Sequence, residues 1–293
     1  MSNNKIIVTI APTGGMAKKS QNPNLPTQPE EIADSVYRCY NAGASVAALH
    51  VRRPDDQATC NAGIYRRVNE LVRAKCNIVI NNSTGGGVDG DMLIERLDGL
   101  FDVNFEERLK GLDAGAEMAT FDCFTVAAIH GKREMLVSTT PSQCDKLAER
   151  FKERGIKPEW EVFNPAHILQ DVTRLIAAGY DKPPYFVNIV LNADRGFQGA
   201  MPYTPDVLQM MVKLLPKDSI FNVSAIGTAQ LPATTHAILL GGHVRVGLED
   251  NLYYGKGVHA TNEMFVERQV RIIRELGFEP ATPDEARQMM GLA

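Results

Sequence analysis

The chain has no long apolar run, no basic tract and no paired-cysteine motif, and each absence removes a class of function. Nothing in its 293 residues approaches the roughly 18 consecutive apolar positions needed to span a bilayer. The N-terminal stretch MSNNKIIVTIAPTGG ends its short apolar run at a proline and two glycines. It lacks the charged start, long apolar core and small-residue cleavage site of a secretory signal. The formal net charge is −4 with both signs mixed along the chain, so no basic face offers itself to nucleic acid or an anionic membrane. The five cysteines (Cys39, Cys60, Cys76, Cys123 and Cys144) are odd in number and never arranged as CxxC, which reads as reduced thiols in a cytoplasmic protein. No linker, low-complexity segment or charge block marks a second domain.

What is present is alternation. Hydrophobic residues make up 44% and charged residues 23%, enough apolar material for a sizeable core. Short β-branched runs recur at 5–10, 45–50, 77–80, 118–121, 159–163, 185–191, 219–225 and 243–246, and each is followed by a helical pattern. The first helix opens with Thr27 as N-cap, Pro29 in the first turn and Glu30 closing a capping box. Its face is Ile32, Val36, Tyr37 and Tyr40, and Gly43 ends it. Further helices are expected at 64–74, 142–154, 165–178, 204–215, 233–240 and 262–276, with a helical region up to about 112 and a long loop before 142. A short extra helix over 283–290 closes the chain. Eight strand–helix units in roughly 250 residues match a single-domain α/β fold, the (β/α)8 or TIM barrel, spanning 1–293. An open doubly wound sheet uses the same alternation, but its dinucleotide form needs GxGxxG after the first strand, where APTGGM stands.

In a barrel, chemistry sits where strands end. Those points hold Thr13, His50, Arg52, Asn82, Ser83, Thr120, Asp122, Glu161, Asn192, Ser224, Arg245, Glu249 and Asp250. No lysine is among them, which argues against a Schiff-base aldolase. Glu249 and Asp250 are adjacent carboxylates, best tolerated when a metal or a guanidinium takes one of them, and Arg245 is four residues from Glu249. A solvated turn explains such a pair equally well. His50 is placed to bind metal with Glu249 across the barrel, although a lone histidine there is more often a hydrogen-bonded barrel residue. The loop NNSTGGG offers Asn82, Ser83 and Thr84 as hydrogen-bonding groups, with Gly85–Gly87 allowing backbone N–H groups close to a ligand; a flexible turn is the competing reading. Gly227, after the seventh strand, lies where barrels bind anions at a helix N-terminus. His243 starts the eighth strand, on the bottom face, which suits a structural role.

The blocks TIAPTGG, NPNLPTQPEEIA, GASVAALHVR, STGGG, AEMAT, PEWEVF and GGHVRVGLEDN, in this order over nearly the whole chain, resemble the β-keto acid cleavage enzymes, the group of 3-keto-5-aminohexanoate cleavage enzyme. The resemblance implies a (β/α)8 barrel, usually a homotetramer. It also implies condensation of a β-keto acid with acetyl-CoA, giving acetoacetate and a new acyl-CoA by a retro-Claisen route. Carried over by position, Asp250 is the base, Arg245 its partner, Ser83 binds the substrate carboxylate or enolate, and Thr120 lines the pocket; Thr84 and Gly227 are substrate-binding candidates from their loops alone. His50 and Glu249 are implied as ligands of a divalent metal, zinc.

Two positions depart from the pattern. The family has HxH at the end of the second strand, whereas this chain has Ala48-Leu49-His50, so one ligand is missing and metal binding should be weaker. A relative acting on an aminated substrate carries a glutamate in the first loop, where Met16 stands here, which points to an uncharged β-keto acid. Another enolising lyase or aldolase on the same barrel without a tight metal is the runner-up. A silent barrel binding a CoA ester or keto acid is the third reading.

Overall fold

The structure, a computed structural model, describes residues 4–292, so the first three residues and Ala293 lie outside it. Eight parallel strands close into a barrel: β1 (Val8–Ile10), β2 (Val46–Leu49), β3 (Val79–Asn82), β4 (Met118–Phe121), β5 (Lys157–Val162), β6 (Tyr185–Leu191), β7 (Ser219–Ala225) and β8 (His243–Val246). They are ordered by sequence, and β8 pairs with β1 to remove the sheet edge.

Period-2 alternation fixes what fills the barrel. The first inward layer is apolar: Ile7, Val46, Val79, Met118 and Phe186 form one buried cluster. Two residues on, the inward positions become Thr9, Ala48, Asn81, Thr120 and Asn188, all buried. Two further on they are Ala11, His50, Ser83, Asp122 and Val190. The barrel therefore grades from a hydrocarbon plug to a polar mouth along its axis.

Outward residues meet the helices in two larger cores, one centred on β1–β3 and one on β4–β7. The helices are α1 (Pro29–Ala42), α2 (Ala62–Arg73), α3 (Phe105–Lys110), α4 (Pro141–Arg154), α5 (Thr173–Ala177), α6 (Pro205–Lys213), α7 (Gln230–Leu239), α8 (Asn262–Glu275) and α9 (Pro283–Met290). None is long and apolar enough to cross a membrane. The five cysteines are unpaired.

Several local expectations need correction. Helix α1 is capped by Gln28 rather than Thr27, and Glu31 rather than Glu30 reaches back to the N–H groups of Thr27 and Gln28 at 2.9 and 3.2 Å. Its buried face is Ile32, Ala33, Ser35, Val36 and Cys39, while Tyr37 is exposed. Strand β3 starts later than expected, so Asn81 and Asn82 belong to the strand and not to the loop. The expected helix over 165–178 begins with a π-helical turn at His167–Val172 before α5.

The largest departure lies in the two stretches read as an ill-defined helical region and a long loop. They contain strands Leu93–Glu95, Phe101–Val103, Val126–His130 and Arg133–Val137, which assemble into a separate four-stranded sheet. Its central pairing, Met135 with Phe101 and Leu136 with Asp102, is parallel and joins segments more than thirty residues apart. A short pattern of three to five residues carries too little periodicity to disclose such a non-local ladder.

Candidate active site

At the C-terminal mouth lies a cavity of about 150 Å3. Its polar lining is Met16's neighbour Gly15 together with His50, Ser83, Asp122, Glu161, Arg245, Glu249 and Asp250. The inward end of β8 supplies Arg245, and the tight turn that follows supplies the two acids. Gly247 is required in that turn: at φ +150° a Cβ would meet the Ala11 carbonyl oxygen at 2.0 Å.

Arg245 organises the charges. Its Nε and Nη2 donate to Asp250 Oδ2 and Oδ1 at 3.1 and 3.0 Å, and its Nη1 donates to Glu161 Oε1 at 2.9 Å. Its Nη2 also donates to Glu249. The guanidinium is buried and yet held well above its ordinary pKa: burial opposes the charge, but Asp250, Glu249 and Glu161 outweigh it. The two adjacent acids separate strongly. Burial pushes Asp250 up to about 6, with the charge of Glu249 adding to it and Arg245 opposing. Glu249 suffers the same burial, but Arg245 and His50 pull it down to about 2. Pairs of acids with such divergent environments divide the roles of base and fixed charge.

Behind this group, Asn188 Nδ2 donates to Glu161 Oε1 at 2.8 Å, and burial drives Glu161 well above the usual carboxylate range. One layer deeper, Glu159 accepts from Asn81 Nδ2 at 2.6 Å and Asn222 Nδ2 at 3.3 Å, and burial raises it as well.

His50 sits just past β2. Its Nδ1 donates to the Gly86 carbonyl at 2.8 Å, which turns Nε2 toward Glu249 Oε1 at 3.3 Å. Burial lowers this imidazole, but the charge and hydrogen bond of Glu249 outweigh it and the net shift is upward. The glycines of the third loop serve packing more than ligand approach. A Cβ on Gly15 would lie 2.2 Å from the Gly86 oxygen, so the first and third loops touch backbone to backbone. The N–H groups of Gly85 and Gly87 are taken by Ser83 Oγ and the Gly85 carbonyl.

The expected site residues divide. His50, Ser83, Arg245, Glu249, Asp250 and Met16 line one cavity. Thr84 and Thr120 stand behind its wall: the Thr84 N–H donates to Thr120 Oγ1 at 2.9 Å, Thr84 Oγ1 donates to the Thr120 carbonyl at 2.8 Å, and Thr120 Oγ1 donates to Ser83 Oγ at 3.4 Å. Gly227 lines an adjoining cleft instead, and its N–H donates to the Asp250 carbonyl at 2.8 Å, so that group is not open to an anion. Arg52 clamps the first loop through the carbonyls of Gly14 and Ala17. Glu161 and Asp122 enter the cavity without an assigned role, although their strand-end positions were visible in sequence. Arg108, which holds the Thr84 carbonyl at 2.9 Å and Asp122 Oδ2 at 3.4 Å, carried no sequence signal, because its segment has no clear period.

For a divalent metal, His50 Nε2 and Glu249 form a two-donor set, and Glu249 Oε2 is buried without a hydrogen-bond partner among the described residues. Ala48, on the same inward row as His50, has no donor atom, and no group of three His, Cys, Asp or Glu side chains among the described residues is placed to hold a metal. Two donors suit an exchangeable ion and fall short of a tightly held zinc.

Fold and cavity together define a (β/α)8 barrel with buried acids, an arginine and a histidine gathered at its C-terminal mouth. The chain belongs to the β-keto acid cleavage enzyme family, whose model matches residues 5–292. It is 37% identical over 291 residues to the 3-keto-5-aminohexanoate cleavage enzyme of Acetoanaerobium sticklandii, covering 99% of each chain. It is 31% identical over 305 residues to the 3-dehydrocarnitine:acetyl-CoA trimethylamine transferase of Rhizobium meliloti, covering 99% of this chain and 97% of that one. The solved ternary complex of ObcA with a C4-CoA adduct and oxalate shares the fold, with a TM-score of 0.71 at 20% identity over 92% of this chain and 68% of that chain.

Proposed function

We propose that this chain condenses a β-keto acid with acetyl-CoA, giving acetoacetate and a new acyl-CoA. The observation that carries the reading is the buried Arg245 gripping Asp250 through two hydrogen bonds beside Glu249 and Ser83. The names of the relatives, a keto acid cleavage enzyme and an acetyl-CoA transferase, support the substrate classes.

The chemistry begins at the carbon between ketone and carboxylate. Asp250, raised to about 6 by burial, is ionised at neutral pH and still a better base than an ordinary carboxylate. Arg245 fixes both of its oxygens, so the carboxylate does not rotate away from the α-proton. Ser83 Oγ, steadied by Thr120, binds the substrate carboxylate or the enolate oxygen. The α-carbon attacks the acetyl carbonyl and CoA thiolate leaves. The thiolate then adds to the original ketone, the carbon–carbon bond breaks to give the new acyl-CoA, and the acetoacetate enolate takes back the proton from Asp250. A divalent ion on His50 and Glu249, when bound, supplies positive charge to the ketone oxygen. We hold that ion to be exchangeable, because Ala48 withholds the third ligand. Met16, in the cavity wall, favours an uncharged substituent.

Acetoacetate formation from acetyl-CoA and a panel of β-keto acids, with and without added zinc, tests the reading. No acetoacetate from any member sinks it. Substrate-dependent deuterium exchange without acetoacetate would instead favour an enolising lyase, the second reading, which the missing ligand at Ala48 supports. The same proposal includes a homotetramer in the cytoplasm, on family grounds and on five unpaired thiols.

A further inference from the structure

Most of the charged groups of the cavity are joined in one network, Arg245 to Glu161, Glu249 and Asp250, and Glu249 to His50. The apolar wall is built from Val103, Phe124, Val137, Phe163, Val190 and Phe197. Phe124, Phe163 and Val190 belong to one small apolar cluster, and Val137 and Phe197 pack against both it and a second, while Val103 belongs to the core centred on β1–β3, against which Val137 also packs. The second cluster also contains Met16. The rings of Phe124 and Phe163 meet edge-on at 4.9 Å, and Phe163 and Phe197 lie 5.6 Å apart. Val103 and Val137 come from the four-stranded sheet outside the barrel. The loop carrying Phe197 is tied to that sheet by the Gln198 N–H on the Ala127 carbonyl and the Ile129 N–H on the Gly196 carbonyl, both at 2.8 Å.

No cation serves this wall. Among the described residues that line the cavity, the positive groups are Arg245, engaged by three carboxylates, and His50, paired with Glu249. Asp122 lies close to Gly85, where an added Cβ would meet its Oδ2 at 2.9 Å, and Arg108 reaches the same oxygen at 3.4 Å. Against this wall a carboxylate or an ammonium at the end of the substituent would meet hydrocarbon, which leaves a desolvated charge unpaired.

Resting on the β-keto acid reading above, we infer that the apolar wall holds the substituent on the ketone. The substrate class is then a 3-oxo acid with an uncharged aliphatic tail, without a second carboxylate or an ammonium. The whole cavity of about 150 Å3 is on the scale that holds one benzene ring, and the keto-acid head takes part of it, so the tail is short.

The test separates binding from turnover. The probes are 3-hydroxy acids, which lack the ketone and so cannot follow the cleavage route, titrated into the intact protein by calorimetry. From 3-hydroxybutanoate to 3-hydroxyheptanoate, affinity should rise roughly fourfold per methylene. 3-Hydroxyadipate and 3-hydroxy-5-aminohexanoate should bind at least tenfold more weakly than 3-hydroxyhexanoate. A flat series, or tightest binding by the diacid or the amino acid, overturns the inference. Val137→Trp, which fills the chamber, should lower the long-tail to short-tail ratio of affinities by tenfold or more, and Met16→Glu should shift the ratio toward the amino acid. Unchanged ratios in both folded variants also overturn it. If the affinity trend holds while no 3-oxo acid yields acetoacetate, the chamber stands and the reaction reading fails. If acetoacetate forms best from 3-oxoadipate or the amino-keto acid, the reaction stands and the chamber assignment fails.

Discussion

Arg245 shows how one residue can set the chemistry of three others. A lysine at this position would offer a point charge, whereas the planar guanidinium holds both oxygens of Asp250 and still reaches Glu161 and Glu249. Because Asp250 is the group so held, Asp250→Asn should lower kcat for acetoacetate formation by about 100-fold or more, on general-base magnitudes, with the melting temperature little changed. Near-normal turnover in that variant assigns the base elsewhere. A different residue governs stability in acid. His243 lies at the barrel base, where its Nδ1 accepts from the Ile7 N–H at 3.3 Å, and burial lowers it to about 4. Its folded value is below the unfolded value of about 6.5. Folding therefore resists protonation, and stability present above pH about 6.5 is lost as the pH falls toward 4, by on the order of 3 kcal/mol at most. His243→Gln removes that titration, so its urea midpoint should fall less between pH 7 and 4.5 than that of the unaltered protein. Equal slopes would place the acid sensitivity elsewhere, with the buried His167, also lowered to about 4, as the next residue to test.

Strand β2 illustrates the scale of the element. Residues 48 and 50 share its inward row, so the sequence discloses by period alone that Ala48 leaves a gap next to His50. Ala48→His restores a second imidazole on that row and should convert weak, exchangeable zinc binding into near-stoichiometric retention after dialysis, read by elemental analysis. One tightly held zinc per unaltered chain would mean that a further group completes the site. The four-stranded sheet illustrates the opposite case. None of its strands exceeds five residues, and the pairing that creates it joins Phe101–Asp102 to Met135–Leu136. Local patterning reports a strand through its own alternation, and these are too short to alternate convincingly. The two wall residues that this sheet supplies, Val103 and Val137, were illegible for that reason.

For the whole molecule, the barrel depends on its plug. Helix α9 places Ala286 and Met290 against Ile7, Val46, Val79, Met118 and Phe186, closing the end opposite the cavity. Met290 is fully buried, so Met290→Ala should cost about 2–5 kcal/mol and lower the melting temperature by several degrees. A loss below about 0.5 kcal/mol would show that the base closes without α9. The short helix over 283–290 was expected from the sequence, and in the structure Thr282 caps it and Gly291 ends it, but its function as the barrel's stopper was not legible.

By itself, the sequence determined the alternation of eight strand–helix units, because periodicity and capping are local properties of the chain, and the number of units pointed to a barrel whose closure the pairing of β8 with β1 decided. It also placed His50, Ser83, Arg245, Glu249 and Asp250 at strand ends, where a barrel turns them toward one mouth. Only the tertiary structure decided that Thr84 and Thr120 lock each other behind the wall, that the Gly227 N–H is already bonded, and that Glu161 and Asp122 join the cavity. It alone raised Asp250 while lowering Glu249, although the two are adjacent in sequence. The physical reason is common to all of these: hydrogen-bond partners, desolvation and charge pairing are set by distances across the barrel, between residues up to a hundred or more positions apart, and spacing along the chain does not contain them.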